Sequence, residues 1–337
     1  MVYAFWNNKG GTGKTSLSFQ TIARYAEKHL NETILAIDLC PQANLSELFL
    51  GGLVGDGSIN LNSLYSERRT SVGGYFQDRL PSPFTVPTIN AEDYIVKPSV
   101  YNSAIRENIS LLAGDPILEL QTNSMATLAN TQLPGTNTWI AVVNWISDFI
   151  KALDGKYDTI FLDCNPSFSI YTQIALSSAD RLILPVMADD SSRRALQNAF
   201  SLIYGIKMPS SVYREYSFAT RLHDAGRSLP LIHCIVKNRL TQYMGTSSAY
   251  QSVLLSINKD VQEVMTNHPE IFSFSNLDDG IIDIRDFQTT GVIAFAEGKP
   301  FSKVSTGLHY IFDRETQISA EYLDKCNVAI EALVNKI

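Results

Sequence analysis

Short apolar runs alternate along the chain with amphipathic segments of helical period. Each apolar run is bounded by polar or glycine-containing residues, which predicts buried strands at 2–6, 33–37, 109–112, 157–162, 181–186, 231–236 and, as a last strand, 293–296. Helical spacing predicts helices at 15–29, 139–153 and 321–337. Strands that alternate with helices indicate an α/β fold, a mostly parallel sheet flanked by helices on both faces.

The segment 51–104 fits this rhythm poorly. It is rich in Gly, Ser, Pro and Asn, and we expect it to be a less regular surface excursion. We expect residues 1–337 to form a single domain. Because the chain starts at its first core strand, we expect no N-terminal helix-turn-helix extension.

The composition is that of an ordinary globular protein with an acidic balance. The 337 residues are 45% hydrophobic and carry a net charge of −7, so any contact with DNA has to be a local basic patch. No run approaches the ~20 apolar residues of a membrane span, and residues 2–6 lack the basic lead of a signal peptide. The cysteines are far apart, which argues against a zinc or iron–sulfur site and fits free thiols in the cytoplasm.

A glycine-rich turn joins the first predicted strand to the first predicted helix. Backbone N–H groups in such a turn cradle phosphates, and the helix N-terminus adds positive potential. Lys14 would reach the β- and γ-phosphates and the Thr15 hydroxyl would ligate Mg²⁺, so we predict that the chain binds ATP with Mg²⁺. The usual first glycine of this motif is replaced by Asn8, and the turn consists of Asn8, Lys9, Gly10, Gly11, Thr12, Gly13, Lys14, Thr15 and Ser16.

The string from Lys9 to Thr15, KGGTGKT, resembles the deviant Walker A motif of the ParA/MinD ATPases. Segments 38–44, 157–167 and 179–186 resemble three further blocks of that family, and the resemblance spans most of the chain outside 51–104. It implies a P-loop NTPase fold and an ATP-dependent homodimer. In such a dimer Lys9 would cross the interface and contact the ATP held by the partner subunit.

Two aspartates and a cysteine stand where the family places its catalytic groups. Asp163 ends a buried strand, where an unpaired carboxylate is costly, so Mg²⁺ is its natural partner, with a loop-capping role as the alternative. The resemblance assigns Asp38 to the outer shell of Mg²⁺, again with helix capping as the alternative. Cys40 replaces the aspartate that usually orients the attacking water, and a neutral thiol is a weak acceptor. ATP hydrolysis should then be slow, unless Asp38 or another residue takes over this role.

Four further residues have candidate binding roles. The resemblance assigns Asn238, at a predicted strand end, to the adenine edge, although an asparagine there is also a common turn residue. Basic residues are unevenly distributed, with a series from Arg193 to Arg239. The resemblance places the DNA-binding surface of relatives in the C-terminal half, and we expect Arg193, Arg194 and Arg239 to contribute to it. The alternative is a solvated surface without a partner.

The function that these features favour is that of a ParA-like ATPase that partitions or positions a plasmid, chromosome or other cargo. It would bind DNA nonspecifically, associate with the nucleoid when ATP-bound, and work with a ParB-like or cargo adaptor protein. A MinD-like membrane ATPase and a metabolic P-loop ligase are the alternatives. The first needs a basic amphipathic tail, whereas residues 324–337 carry two lysines, two acids and a stripe suited to packing on the sheet, so we expect no membrane contact.

Overall fold

An eight-stranded sheet forms the centre of the protein, a computed structural model of which describes residues 1–66, 68–86, 88–240, 248–312 and 314–337. Its order is β3-β4-β2-β5-β1-β6-β7-β8, with β3 antiparallel to β4 and the other neighbours parallel. The strands are β1 Val2–Phe5, β2 Ile34–Leu39, β3 Ile95–Val96, β4 Ile109–Leu112, β5 Thr159–Cys164, β6 Arg181–Met187, β7 Leu231–Leu240 and β8 Ile281–Arg285. The predicted α/β fold with a mostly parallel sheet is confirmed.

Helices cover both faces of this sheet, because side chains alternate along each buried strand. On β1, Val2 and Ala4 enter one apolar core, and Tyr3 and Phe5 enter the other. The helices are α1 Lys14–Lys28, α2 Asn44–Phe49, α3 Gly57–Ser63, α4 Val72–Arg79, α5 Ile117–Asn130, α6 Thr138–Val143, α7 Trp145–Ala152, α8 Ile170–Ser178, α9 Asp190–Tyr204, α10 Ser211–Glu215, α11 Phe218–Asp224, α12 Ser248–Asn267, α13 Leu277–Gly280, α14 Gln288–Ala296 and α15 Ala320–Val334.

The two ends of the chain meet beside the middle of the sheet. β1 lies between β5 and β6, and the Tyr3 hydroxyl donates to the Ile337 carbonyl over 3.0 Å. Arg24 and Lys28 of α1 pair with Glu331 of α15. One face of α15 is buried in the core, as the sequence predicted for the tail, and consists of Leu323, Cys326, Ile330, Leu333 and Val334. Among the described residues, no helix has both the length and the apolar character that crossing a membrane requires.

Two predicted elements differ from the structure. Residues 293–296 were expected to be a strand but lie inside α14, because a short apolar run fits a buried helix as well as a strand. The strand that closes this side of the sheet is instead β8. The predicted helix at 139–153 is divided at Asn144 into α6 and α7.

After α14, the chain adds a separate hairpin of β9 Gly307–Ile311 and β10 Arg314–Ile318.

Part of the segment 51–104, which was expected to be a surface excursion, packs into the core. It contains α3, α4 and the edge strand β3, and its side chains at Val72, Tyr75, Phe76 and Tyr94 are buried in the core. The periodicity of apolar residues in this segment was hard to recognise because its helices and its strand are short. The helix α4 also begins with a Val-Gly-Gly sequence of low helix propensity.

Candidate functional site

The glycine-rich turn lies between β1 and α1, at the edge of the sheet where the parallel strands end. Gly11 and Gly13 have φ angles of 75° and 76°, which an L side chain rarely adopts. A Cβ added to Gly10 or Gly11 would meet no atom within 4 Å, so the space above the turn is open. The turn therefore has the backbone conformation and the room that a phosphate group needs.

A buried ion pair lies directly behind this turn. Lys14 Nζ contacts Asp163 Oδ1 at 2.9 Å, and the Thr15 hydroxyl donates to Asp163 Oδ2 over 2.9 Å. Burial by itself would lower the pKa of Lys14, but the carboxylate of Asp163 outweighs it and raises that pKa. The site thus holds a fixed positive charge, a hydroxyl and a carboxylate within one hydrogen-bonded cluster.

Asp38 stands beside Asp163 because β2 and β5 place the two residues in register. Its Oδ2 accepts from the Ser46 hydroxyl at 2.8 Å and the Ser46 N–H at 3.0 Å, and its Oδ1 accepts from the Cys40 N–H at 3.1 Å. Burial, with the nearby charge of Asp163, raises the pKa of Asp38 to about 7. Ser46 was not predicted from the sequence, although its hydroxyl also accepts from the Gly114 N–H and so joins the segment after β4 to the site.

The Cys40 thiol occupies the position next to these carboxylates. Its Sγ donates to Gln42 Oε1 over 2.9 Å and accepts from Asn165 Nδ2 over 3.8 Å. Burial, with the charge of Asp38, raises the pKa of Cys40 to about 12, so the thiol is neutral. A neutral S–H that already donates to an amide offers a water molecule a far weaker acceptor than a carboxylate would.

Lys9 has a different partner from Lys14. Its Nζ contacts both carboxylate oxygens of Asp189 at 2.7 and 2.8 Å and the Ser192 hydroxyl at 3.1 Å. Asp189 is the N-cap of α9 and accepts from the Ser192 N–H. Partial burial opposes ionisation, but the hydrogen bonds from Lys9, Ser191 and Ser192 lower the pKa of Asp189 to about 2. Asp189 was not predicted from the sequence, although its position before a helix that follows a strand is a capping pattern.

Asn238 lies at the phosphate turn, as expected for a residue near the nucleotide. Its Nδ2 donates to the Thr12 carbonyl over 2.8 Å, and its Oδ1 accepts from the Arg239 N–H at 3.0 Å. Asn238 and Arg239 border a pocket of about 450 Å³. The pocket is lined by Gly13, Ser16, Asn238, Arg239, Asp286, Phe287, Gln288, Gly291, Val292 and Phe295. A contact between Asn238 and adenine stays a prediction.

The three arginines expected at a DNA surface have separate surroundings. Arg193 forms a two-pronged pair with Asp260 at 2.7 and 3.1 Å, and Arg194 pairs with Asp190 one turn earlier on α9. Arg239 instead lines the pocket beside Gly13. Two of the three positive charges are therefore partly neutralised within the protein.

The donors at this site fit Mg²⁺ held together with phosphate oxygens. Mg²⁺ is usually bound by one or two carboxylates or hydroxyls, with substrate phosphates and waters completing the shell. In the part of the chain that the structure describes, no group of three His, Cys, Asp or Glu side chains is placed to hold a metal by itself. Thr15, Asp163 and Asp38 supply the small oxygen set that Mg²⁺ with a nucleotide requires.

Known structures share this fold. The ATP complex of a McdA variant from Cyanothece superposes with a TM-score of 0.61 at 15% identity, covering 98% of this chain and 95% of that one. A plasmid partition protein of Borrelia burgdorferi bound to AMPPNP gives a TM-score of 0.56 at 14% identity, covering 100% of this chain and 99% of that one. At these identities the likeness concerns the fold.

Sequence comparison identifies the family. The cell division protein PomZ of Myxococcus xanthus is 26% identical over 204 residues, which are 60% of this chain and 51% of PomZ, so the chain matches about half the length of the curated relatives. The family model described as an AAA domain matches residues 1–211, which include the phosphate turn, both aspartates and the Lys9 partner Asp189. The chain therefore belongs to this AAA-domain family, the ParA/MinD-like group of P-loop ATPases.

Proposed function

We propose that the protein is a ParA-like ATPase that binds Mg-ATP, dimerises around two nucleotides and positions a cargo on DNA. The observation that supports the proposal is that the two lysines of the phosphate turn have different partners. Lys14 is committed to the centre of its own site through Asp163, whereas Lys9 is held at the rim by Asp189 and Ser192. A second lysine that its own site does not use is what a nucleotide-sandwich dimer needs.

The roles of the central residues follow from their contacts. The backbone of Gly10 to Gly13 would cradle the phosphates, and Lys14 would transfer its contact from Asp163 to the β- and γ-oxygens. The Thr15 hydroxyl would likewise exchange Asp163 for Mg²⁺, leaving Asp163 and Asp38 to fix the metal's waters. When bound, Mg²⁺ supplies charge neutralisation of the phosphate oxygens.

Lys9 would act on the partner subunit's nucleotide. Its ammonium would leave Asp189 and offset charge on the γ-phosphate of the facing site, where a fixed cation stabilises the charge that develops in phosphoryl transfer. Because ADP lacks the γ-phosphate, it offers Lys9 no new partner to compensate for the loss of its contact with Asp189. ATP would therefore favour the dimer and ADP would not.

Hydrolysis would be slow because the residue beside the phosphates is a neutral thiol. Cys40 is fixed between Gln42 and Asn165 and cannot hold a water as a carboxylate does. A slow hydrolysis step would lengthen the ATP-bound state. A positioning ATPase depends on that state lasting long enough to hold its cargo.

DNA binding and an adaptor complete the proposal. The relative PomZ is a cell division protein, and the Borrelia neighbour is a plasmid partition protein. We propose that the ATP-bound dimer binds DNA nonspecifically through the α9 region and associates with the nucleoid. We also propose that a ParB-like or cargo adaptor protein works with this dimer.

The dimer is tested by size-exclusion chromatography with light scattering in Mg-ATP and in Mg-ADP. We expect the wild type to be dimeric only in ATP. Lys9→Ala should bind ATP but stay monomeric, whereas Lys14→Ala should lose ATP binding. A wild-type mass that ATP does not change would refute the sandwich dimer.

DNA binding is tested by the retention of the ATP-loaded protein on long duplex DNA at increasing salt. Neutral Arg193→Gln and Arg194→Gln changes are preferable to charge reversal, because a glutamate at 193 would face Asp260. For each phosphate that a variant no longer neutralises, the slope of log affinity against log salt should become shallower by about 0.9. If the ATP-bound dimer fails to bind DNA at low salt, the proposed association with the nucleoid is excluded. The proposal of nucleotide-driven dimerisation is not affected by that result.

A further inference from the structure

The pocket beside Gly13 is placed to receive the part of the nucleotide that is not transferred. In phosphate-binding loops the lysine and the following Thr serve the β- and γ-phosphates and Mg²⁺. Here the next residue, Ser16, lines the pocket together with Gly13. The α-phosphate, ribose and base would therefore extend from the turn into this pocket.

Arg239 forms one wall of that pocket and has a strained backbone. Its φ angle is 60°, in the left-handed region, and Gln288, which also lines the pocket, has a φ angle of 44°. Residues other than glycine rarely adopt such conformations, and those that do are found preferentially at functional sites. Two of the residues with this backbone conformation thus line the same pocket.

The Arg239 guanidinium lies over the phosphate turn. Its Nε is 3.3 Å from the place where a Cβ of Gly13 would stand, so the guanidinium covers that glycine. Arg193 and Arg194 each have an aspartate partner, but within the described residues Arg239 has none. Arg239 is exposed, so an anion that enters the pocket beside the phosphate-binding turn can reach its guanidinium.

We propose that Arg239 is a ligand of the nucleotide in its own subunit and contacts its α-phosphate, ribose and base end. A guanidinium suits this position because it donates to phosphate oxygens and its planar face stacks on a base. The contact is shared by ATP and ADP, since it does not involve the γ-phosphate. This assignment rests on the ATP binding in the proposed function and replaces the DNA contact expected for Arg239.

The test is isothermal titration calorimetry of the full chain with Mg-ATP and with Mg-ADP. Arg239→Gly removes the guanidinium and keeps the left-handed backbone without strain. We expect the dissociation constants of ATP and ADP to rise by the same factor, about tenfold or more, as the removal of a charge-assisted hydrogen bond typically gives. Arg68→Ala, which removes an exposed arginine paired with Asp93, should change neither constant.

Several outcomes would overturn the assignment. Unchanged nucleotide affinities with weaker DNA retention would make Arg239 a DNA contact, and a weakening confined to ATP would place it at the γ-phosphate. If Arg239→Gly proves unfolded by circular dichroism, Arg239→Gln is measured instead and must show the same parallel weakening. A wild type that binds nucleotide but neither dimerises nor binds DNA would refute the proposed function and leave the Arg239 result valid.

Discussion

Lys9 and Lys14 stand five residues apart in one turn, yet they lie in opposite physical environments. The side chain of Lys14 is 7% exposed and pairs with a fully buried Asp163. The side chain of Lys9 is 25% exposed and pairs with an Asp189 that is 40% exposed. Breaking a buried pair leaves a desolvated charge, whereas water can replace the partner of an exposed one. We therefore call the Lys14–Asp163 pair the fixed centre of the site. The Lys9–Asp189 pair forms its rim, where Lys9 can exchange one partner for another.

The largest expected difference between the two lysines is in Lys14→Ala. This change leaves the Asp163 carboxylate buried and unpaired, which should lower the free energy of unfolding by about 3–5 kcal/mol and abolish detectable ATP binding. Lys9→Ala should lower the free energy of unfolding by only about 0–1 kcal/mol. Urea unfolding of both variants, alongside nucleotide titration, measures the contrast. Equal decreases in stability would contradict the division into centre and rim.

The next effect concerns catalysis at the centre. Cys40→Asp should raise the single-turnover rate of ATP hydrolysis by up to about 10²-fold, since a positioned proton acceptor typically contributes ~10²–10⁴-fold. Cys40→Ser is the matched control, because it is close in size and adds no charge. An unchanged rate in Cys40→Asp, together with an inactive Asp38→Ala, would place the catalytic role on Asp38.

The fixed centre should also make stability depend on pH. The folded pKa of Asp38, about 7, lies above its ordinary value of 3.8, so ionising it is harder in the folded chain. Its contribution to stability is full below pH 3.8 and is lost as pH rises through about 7. The melting temperature without nucleotide should fall by several degrees between about pH 5 and about pH 8.5, measured by scanning fluorimetry. Asp38→Asn should make the decline of the melting temperature with pH less steep. An equally steep decline in the variant would show that ionisation of Asp38 does not cause it.

The smallest expected effect is at the rim. Asp189→Ser keeps a hydroxyl cap for α9 but removes the carboxylate that holds Lys9, so it should tighten the ATP-dependent dimer by about two- to fivefold, the range of an exposed pair. Asp190→Ser, next in sequence, removes a carboxylate that contacts Arg194 and, at 4.0 Å, Arg193, and it serves as control. Analytical ultracentrifugation in ATP measures both. A weaker dimer in Asp189→Ser would show that this carboxylate contacts the partner subunit instead.

The sequence predicted the N-terminal half of the site better than the C-terminal half. The turn follows β1, and Asp38 and Asp163 lie near the ends of β2 and β5. The apolar runs of these strands made their common edge possible to infer. Asp189 could not be matched to Lys9 because their pairing depends on how β1 and β6 lie side by side, which no local pattern encodes. The prediction at 293–296 was wrong for a related reason, since only packing decides whether four apolar residues form a strand or a helix.

The central place of β1 has a consequence for synthesis on the ribosome. β1 ends at Phe5, but its neighbours β5 and β6 begin at Thr159 and Arg181. After it leaves the exit tunnel, β1 therefore stays without its neighbouring strands, and its apolar side chains stay unpacked, until well over a hundred further residues have been translated. Contacts of such long sequence separation slow folding and expose aggregation-prone surface. Nascent chains stalled before residue 159 should consequently depend on chaperones far more than chains released after residue 187.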